Sequence, residues 1–272
     1  MKNIHFFLLV FLPFLSNGQT VFSLQDKDSN EPVPYATIWK DNQMIASSDT
    51  DGTFIINTVD KKPVYRITSI NYKTLDDISL EERIIALEKK VIPLKEVVVR
   101  KKTNAKAVKL GKLSNEDTHI VASKDYGDPR AAKYFKNYDK KQLYLDKLRL
   151  KTRCEHKNMI GGISIYSVGK DGEPDKLINT ENIIHKFKKG YNTNEIDLSH
   201  LDILMPDEGI FIVFEYIYLM QNRSYDHSKK FYIYEPRLPI KYTNEYVDSW
   251  YSDNGIWKKV NYSLCFQLIL KE

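Results

Sequence analysis

Cysteine and glycine are scarce in this chain, and the catalytic motifs built on them are missing. The 272 residues include two cysteines and 11 glycines. Cys154 and Cys265 lie too far apart for a C-x-x-C redox or zinc motif. The sequence contains no glycine-rich phosphate loop, no Gly-x-Ser-x-Gly nucleophile motif and no His-Glu-x-x-His pair. We therefore predict no catalytic residue, no metal and no cofactor, and we expect a protein that is not an enzyme.

Long apolar runs are also absent after the N-terminus. Residues 1–18 begin with the basic Lys2, continue through the apolar run Phe6–Leu15 and end with the small residues Ser16 and Gly18. This is the layout of a cleavable secretory signal peptide. The apolar run of about ten residues is too short to cross a bilayer as a helix. We predict cleavage after Gly18 and a mature chain without a transmembrane segment; an uncleaved anchor is the alternative.

Charge of one sign is not concentrated on any long segment. The chain has 41 basic and 36 acidic residues, and its densest basic stretch is 100–112. Nucleic-acid-binding proteins collect basic residues on one stripe or arm. We therefore expect no nucleic-acid partner. Residues 101–115 lack a clear hydrophobic period and are interpreted as a basic linker between two domains.

Aromatic and β-branched residues are plentiful and indicate an all-β protein. The 18 tyrosines and 12 phenylalanines suit half-buried strands. Alternating or apolar runs at 21–26, 35–39, 43–47, 53–56, 65–72, 84–87 and 96–99 predict an antiparallel β-domain over 19–100. Several further runs separated by turn residues predict a second sandwich of jelly-roll type over 116–272.

Within the first domain, four motifs occur in a specific order. They are Pro32–Ile38, Asp49–Phe54, Ile70–Tyr72 and Leu94–Val99. In this combination the stretch Val21–Val99 resembles the carboxypeptidase regulatory-like domain. The resemblance implies a transthyretin-like β-sandwich without catalytic residues. It also implies a folding or docking module of exported Gram-negative proteins, such as the N-terminal extensions of TonB-dependent outer-membrane receptors.

Two turns in this domain call for specific backbone conformations. The sequence Asp49-Thr50-Asp51-Gly52 echoes part of a calcium loop, but Thr58 stands where that loop needs a bidentate carboxylate. We therefore predict a hairpin turn with Gly52 at positive φ. The resembling family usually has glycine at the position of Asn71, and asparagine tolerates the same left-handed geometry.

One constellation in the second domain could bind a ligand. Trp250, Tyr251 and Trp257 surround an Asn254-Gly255 hairpin turn. Aromatic rings exposed at a hairpin tip could stack on sugar rings or on a protein partner. The alternative is that Trp250 and Trp257 pack across the hairpin as core or cross-strand neighbours.

The two cysteines lie in strand-like runs of an exported chain. A disulfide between Cys154 and Cys265 would close a loop of about 110 residues and would stabilise the fold by about 4–5 kcal/mol in the chain-entropy model. Two buried thiols are the alternative.

These patterns indicate a non-catalytic binding or assembly module of the cell envelope. The expected partners are envelope proteins, such as outer-membrane receptors or secretion components, or glycans. The expected location is the periplasm or the outer membrane, with the cell surface as an alternative. Two other functions remain open: a carbohydrate-binding accessory protein in polymer uptake, and a hydrolase with a dispersed site in the second sandwich.

Overall fold

A computed structural model describes the chain over residues 20–56, 64–90, 107–113, 119–124, 130–138, 140–228, 230–243, 248–253 and 255–272. Apart from two short 3-10 helices, Ser199–Leu201 and Met220–Asn222, all regular structure in these ranges is β-strand. The all-β fold class is therefore confirmed. No helix within the described ranges is long and apolar enough to span a membrane. The predicted signal peptide (1–18) and the predicted strand at 96–99 lie outside them.

The N-terminal sandwich consists of two sheets with the strand orders β4-β1-β7 and β3-β2-β5-β6. Its strands are β1 (Thr20–Asp26), β2 (Thr37–Lys40), β3 (Gln43–Ser47), β4 (Thr53–Ile56), β5 (Tyr65–Thr68), β6 (Leu75–Ile78) and β7 (Ile84–Leu87). Strands β1 and β7 pair in parallel. Alternate residues of the strands point into one core, where the rings of Phe22 and Phe54 stack 5.3 Å apart.

Two of these strands are shorter than their sequence patterns predict. The run 35–39 begins as a strand only at Thr37, because Tyr35 has a left-handed backbone with φ of 58°. The run 65–72 ends as a strand at Thr68, because the chain then turns through Asn71, whose φ is 70°. Asn71 thus adopts the left-handed conformation that its position in the resembling family predicts.

The predicted turn at Gly52 is confirmed. Gly52 has a φ of +72°, and a Cβ atom there would lie 2.6 Å from the carbonyl oxygen of Leu24. Asp49 Oδ1 accepts hydrogen bonds from the backbone N–H groups of Asp51 and Thr53 at 3.0 and 2.9 Å. Since the carboxylate is used inside the turn, this motif works as a turn of the backbone.

The Asp26 carboxylate is the polar centre of the N-terminal sandwich. Oδ1 accepts hydrogen bonds from the backbone N–H groups of Ser29 at 2.8 Å and Asp28 at 3.0 Å. Oδ2 lies 3.0 Å from Lys89 Nζ and accepts a 3.0 Å hydrogen bond from the Tyr72 hydroxyl. The Ser29 N–H, followed by Lys89, holds the pKa of Asp26 well below its usual range.

The C-terminal sandwich packs two larger sheets around a second core. Their main strand orders are β13-β12-β16-β10-β19-β20, here called the front sheet, and β17-β18-β11-β22-β8, here called the back sheet. Strand β14 joins the front sheet beside β12, whereas β9, β15 and β21 join the back sheet. The strands are β8 (Val108–Leu110), β9 (His119–Lys124), β10 (Arg130–Phe135), β11 (Tyr144–Cys154), β12 (Met159–Val168), β13 (Pro174–Leu177), β14 (Ile183–Phe187), β15 (Gly190–Asp197), β16 (Ile210–Tyr216), β17 (Arg223–Asp226), β18 (Phe231–Tyr242), β19 (Ser249–Asp253), β20 (Ile256–Lys259), β21 (Tyr262–Leu264) and β22 (Phe266–Lys271).

Part of the segment interpreted as a linker belongs to this sandwich. Within 101–115, residues Val108–Leu110 form β8, which pairs antiparallel with β22. The partly buried Val108 and Leu110 pack against the C-terminal core. The remaining residues of the predicted linker that precede β8 lie mostly outside the described ranges.

Of the two alternatives for the cysteines, the structure shows two buried thiols rather than a disulfide. Cys154 and Cys265, both within the described residues, are buried thiols that no disulfide joins. The strand register explains this, because the Cys265 carbonyl accepts a hydrogen bond from the N–H of Lys151. Cys154 lies three residues further along β11, about 10 Å away at the rise of a strand. A disulfide needs Cα atoms within about 7 Å.

We expect Asp26→Asn to remove a pH-dependent part of the stability. Because the folded pKa is depressed, the carboxylate stabilises the native state above the unfolded pKa of about 3.9; this stabilisation decreases as pH falls below that value and is lost as pH falls through the lower folded pKa. Urea midpoints of wild type and variant should therefore differ most at pH 7, and the difference should shrink steadily below about pH 4. Asp76→Asn, at an exposed position of the same sandwich, is the control and should show no such pH-dependent difference.

Two adjacent glycines of β12 should respond differently to alanine. A Cβ on Gly161 would lie 2.6 Å from Phe214 Cζ inside the core, whereas one on Gly162 would lie 3.4 Å from Glu215 Cβ on the other face. We expect Gly161→Ala to be less stable than Gly162→Ala by about 1–3 kcal/mol, because it overpacks the core. Urea denaturation measures the difference, and equal stabilities would contradict the expectation.

Candidate functional site

The N-terminal sandwich docks on the outer face of the front sheet through paired hydrogen bonds. The Ser47 N–H donates to the Tyr218 carbonyl at 3.2 Å, and the Tyr218 N–H donates to Ser47 Oγ at 3.0 Å. The Tyr218 ring stacks on Tyr234 at 3.9 Å, and its hydroxyl lies 2.7 Å from Ser123 Oγ. Trp39 and Met44 extend the C-terminal core into the first domain. The two domains therefore share one buried contact.

A cleft of about 430 Å³, here called the interdomain cleft, lies beside this contact. Strands β2, β3 and β5 and the turn after β5 form one wall, and β12, β16 and the segment 177–184 form the other. Hydroxyl and amide side chains line much of it: Thr37, Ser47, Thr68, Ser69, Asn71, Thr74, Ser164, Asn179, Thr180 and Asn182. The half-buried rings of Tyr35 and Tyr166 line it as well. Its volume and mixture of rings with polar groups are those of a small-molecule site.

Asn71 brings an unsatisfied polar atom to the cleft. Its Oδ1 is buried and has no hydrogen-bond partner among the described residues. Buried carbonyl oxygens are almost always hydrogen-bonded, because an unpaired one costs about 1–3 kcal/mol. Since this oxygen has almost no solvent-accessible surface of its own, a donor in the cleft would pair with it after rotation of the amide toward the cleft.

Alternating cations and indole rings connect the two domains along the edge of the cleft. The Arg66 guanidinium lies 5.0 Å from the Trp39 ring, and Arg130 lies 6.0 Å from the same ring. Arg130 also lies 5.1 Å from the ring of Trp257. Trp39 Nε1 donates a 2.8 Å hydrogen bond to Thr68 Oγ1, which fixes its orientation. Cation–π contacts of this length join β5, β2, β10 and β20 into one row.

The three aromatic residues singled out from the sequence do not form one platform. Trp250 and Trp257 share the outer face of the front sheet, because Trp257 pairs with Ser252 and Ser252 lies two residues from Trp250. Tyr251 points to the opposite face. Trp250 packs edge-on against Phe211, and Trp257 packs against Tyr166. Since these rings contact sheet residues, the alternative of cross-strand packing describes both indoles.

The side chains that line the interdomain cleft were not identified from the sequence. The sequence predicts the backbone conformation of Asn71 but not the position of its amide in the cleft. The one signal for this amide is an asparagine where the resembling family usually has glycine. Trp39, Tyr166 and Glu215 come from β2, β12 and β16, which are far apart in sequence. Residues brought together by docking of two domains leave no local spacing in the sequence.

Metal-ligating and acidic side chains are sparse among the described residues of the cleft. No group of three or more histidine, cysteine, aspartate or glutamate residues among them could hold a metal ion. Glu215 is the single carboxylate among the described side chains that line the interdomain cleft. Burial raises the pKa of the Cys154 thiol to about 12, so it is protonated at neutral pH.

No protein-family model and no curated protein matches the chain. A solved structure that is similar to it contains the cysteine protease and lectin-like domains of Cwp84, a surface layer associated protein of Clostridium difficile. The identity is 13% and the TM-score is 0.42. The match covers 84% of this chain and 45% of that chain, so this chain spans less than half the length of the neighbour. The resemblance of 19–100 to the carboxypeptidase regulatory-like domain stays a prediction.

We expect Ser47→Ala to loosen the contact between the domains. The change removes the acceptor of the buried Tyr218 N–H, and leaving such a group unpaired costs about 1–3 kcal/mol. Amide hydrogen exchange at Tyr218 should become faster. Ser79→Ala is the control, because the exposed Ser79 contacts Glu81 away from the domain contact. Unchanged exchange at Tyr218 in Ser47→Ala would contradict the expectation.

Proposed function

We propose that this protein is an exported, non-catalytic module that binds a carbohydrate in the interdomain cleft. The observation that carries the proposal is the set of hydroxyl and amide side chains that line the cleft, among them Asn71, whose buried Oδ1 has no partner among the described residues. A sugar hydroxyl is a small donor that would pair with this oxygen once the amide rotates toward the cleft. Its hydrogen bond would offset the free-energy cost of the unpaired oxygen. Ligands that carry a donor at that place would therefore bind more tightly than ligands that lack one.

The rest of the lining also suits a sugar. Carbohydrates present many hydroxyl groups, which pair with the threonine, serine and asparagine side chains of the cleft. They also present apolar C–H faces, which pack on aromatic rings such as those of Tyr35 and Tyr166. The charged groups that line the cleft are few: Lys90, Arg130 and Glu215. A neutral sugar needs no more than that.

The proposal is for binding without turnover. Glycoside hydrolysis uses two carboxyl groups that flank the bond to be broken, about 5–10 Å apart. The described cleft residues include one carboxylate, that of Glu215. A binding role is therefore better supported than a hydrolase role.

Two features of the sequence support a place in the cell envelope. The layout of residues 1–18 is that of a secretory signal, and 19–100 resembles a module of exported envelope proteins. A role in uptake or retention of envelope glycans would use both features. The competing role is assembly with an outer-membrane receptor or a secretion component, and the experiment below separates the two.

The test is a glycan array, followed by calorimetric titration of the best glycan against two asparagine variants. We expect Asn71→Gly to lower the affinity at least about tenfold, equivalent to about 1.4 kcal/mol. Glycine keeps the left-handed backbone and removes the amide. Asn30→Gly is the matched control, because the exposed Asn30 also has a positive φ of 58° and does not line the cleft.

Both variants should retain the melting temperature of wild type within a few degrees, which separates loss of binding from loss of folding. Equal affinities of Asn71→Gly and Asn30→Gly would reject the cleft as the site. Absence of glycan binding, together with crosslinking of the chain to an envelope protein, would favour the assembly role.

A further inference from the structure

A second concave site lies at the end of the C-terminal sandwich, where β8, β10 and β21 meet. It encloses about 390 Å³ and is here called the basic pocket. None of its described lining residues belongs to the interdomain cleft. The proposed carbohydrate function does not involve this pocket, so a role of the pocket is independent of carbohydrate binding.

A buried lysine forms part of the basic pocket. Lys133 points from β10 into the space between the two sheets, and 3% of its surface is exposed. Its Nζ donates hydrogen bonds to Ser263 Oγ at 2.9 Å and to the Leu264 carbonyl at 2.6 Å. Asp248 Oδ2 lies 3.5 Å away. Burial lowers the pKa of Lys133, while Asp248 opposes that shift. These contacts fix the position of the Lys133 side chain in the pocket wall.

Three more lysines surround the pocket: Lys112, Lys136 and Lys241. The described lining residues thus include four lysines and one carboxylate, that of Asp248. A cube of this volume is roughly 7 Å wide, less than the screening length of about 8 Å in physiological salt. The positive potentials of the exposed lysines therefore overlap inside the pocket and favour an anion there.

The walls are apolar between the charges. The half-buried Leu110 contributes hydrocarbon surface, and the ring of Tyr138 is 76% exposed beside Lys136, whose Nζ lies 5.4 Å from it. A bare inorganic anion would leave this surface unused. A ligand with a ring or hydrocarbon body and an acidic group would use both parts.

We propose that the basic pocket binds a small organic anion, with its carboxylate among the lysines and its apolar body against Leu110 and Tyr138. The shape argues for a small molecule, because the site is concave and of the volume that encloses one. The exposed Lys112 and Lys136 contact the acidic group directly, while Lys133, held by its own protein partners, forms part of the wall.

The test uses benzoate as the probe and amide NMR spectra of the whole protein. Benzoate at up to about 20 mM should shift the amides of Lys133, Phe135 and Cys265, as expected for millimolar affinity. Benzyl alcohol, which has the same ring without the charge, should shift them at least tenfold less at equal concentration. Raising the salt concentration should weaken benzoate binding.

Charge reversal at the exposed lysines separates recognition from folding. The double variant Lys112→Glu/Lys136→Glu should weaken benzoate at least tenfold and keep the wild-type melting temperature. Lys186→Glu, on the exposed surface of β14, is the matched control and should bind as wild type does. The proposal is overturned if benzoate causes no shifts at these amides, if benzyl alcohol shifts them equally, or if the double variant binds like the control.

Discussion

The structure depends on the need to cover both faces of strand β16. Ile212 and Phe214 point into the C-terminal core, whereas Phe211 and Val213 lie on the outer face of the front sheet, and all four are fully buried. A sheet that is apolar on both sides must be covered on both sides. The back sheet covers one face. On the other face, Trp250 and Trp257 cover the part beside β19 and β20, and the N-terminal sandwich covers the part beside β12. The interdomain cleft lies where this second covering is incomplete.

Much of the fold could be predicted from residue alternation, because the strands of both sandwiches place apolar side chains on one face at a time. Gly52 and Asn71 could be assigned their left-handed backbones, since few residues accept that conformation. The orientation of Tyr251 and the spacing of Cys154 from Cys265 could not be predicted. Both depend on strand register, and register is set by pairings between segments that are distant in sequence.

The sites were harder to predict than the strands for a related reason. In the sequence, Lys133 stands among Ala131, Ala132 and Tyr134 and gives no sign that its side chain is buried. Its burial becomes visible only when β21 supplies a hydroxyl and a carbonyl as partners. Similarly, Asn71 becomes part of a polar cleft only when the first domain docks on the front sheet. Both sites consist of polar groups that tertiary contacts bury.

The parallel pairing of β1 with β7 has a mechanical consequence. The chain enters the N-terminal sandwich at the start of β1 and leaves it after the end of β7, so the two ends depart from opposite ends of this strand pair. A force that pulls these ends apart slides the strands along each other. It therefore loads the hydrogen bonds between Ser23–Asp26 and Ile84–Leu87 together rather than one after another. This geometry resists tension applied between the start of β1 and the end of β7.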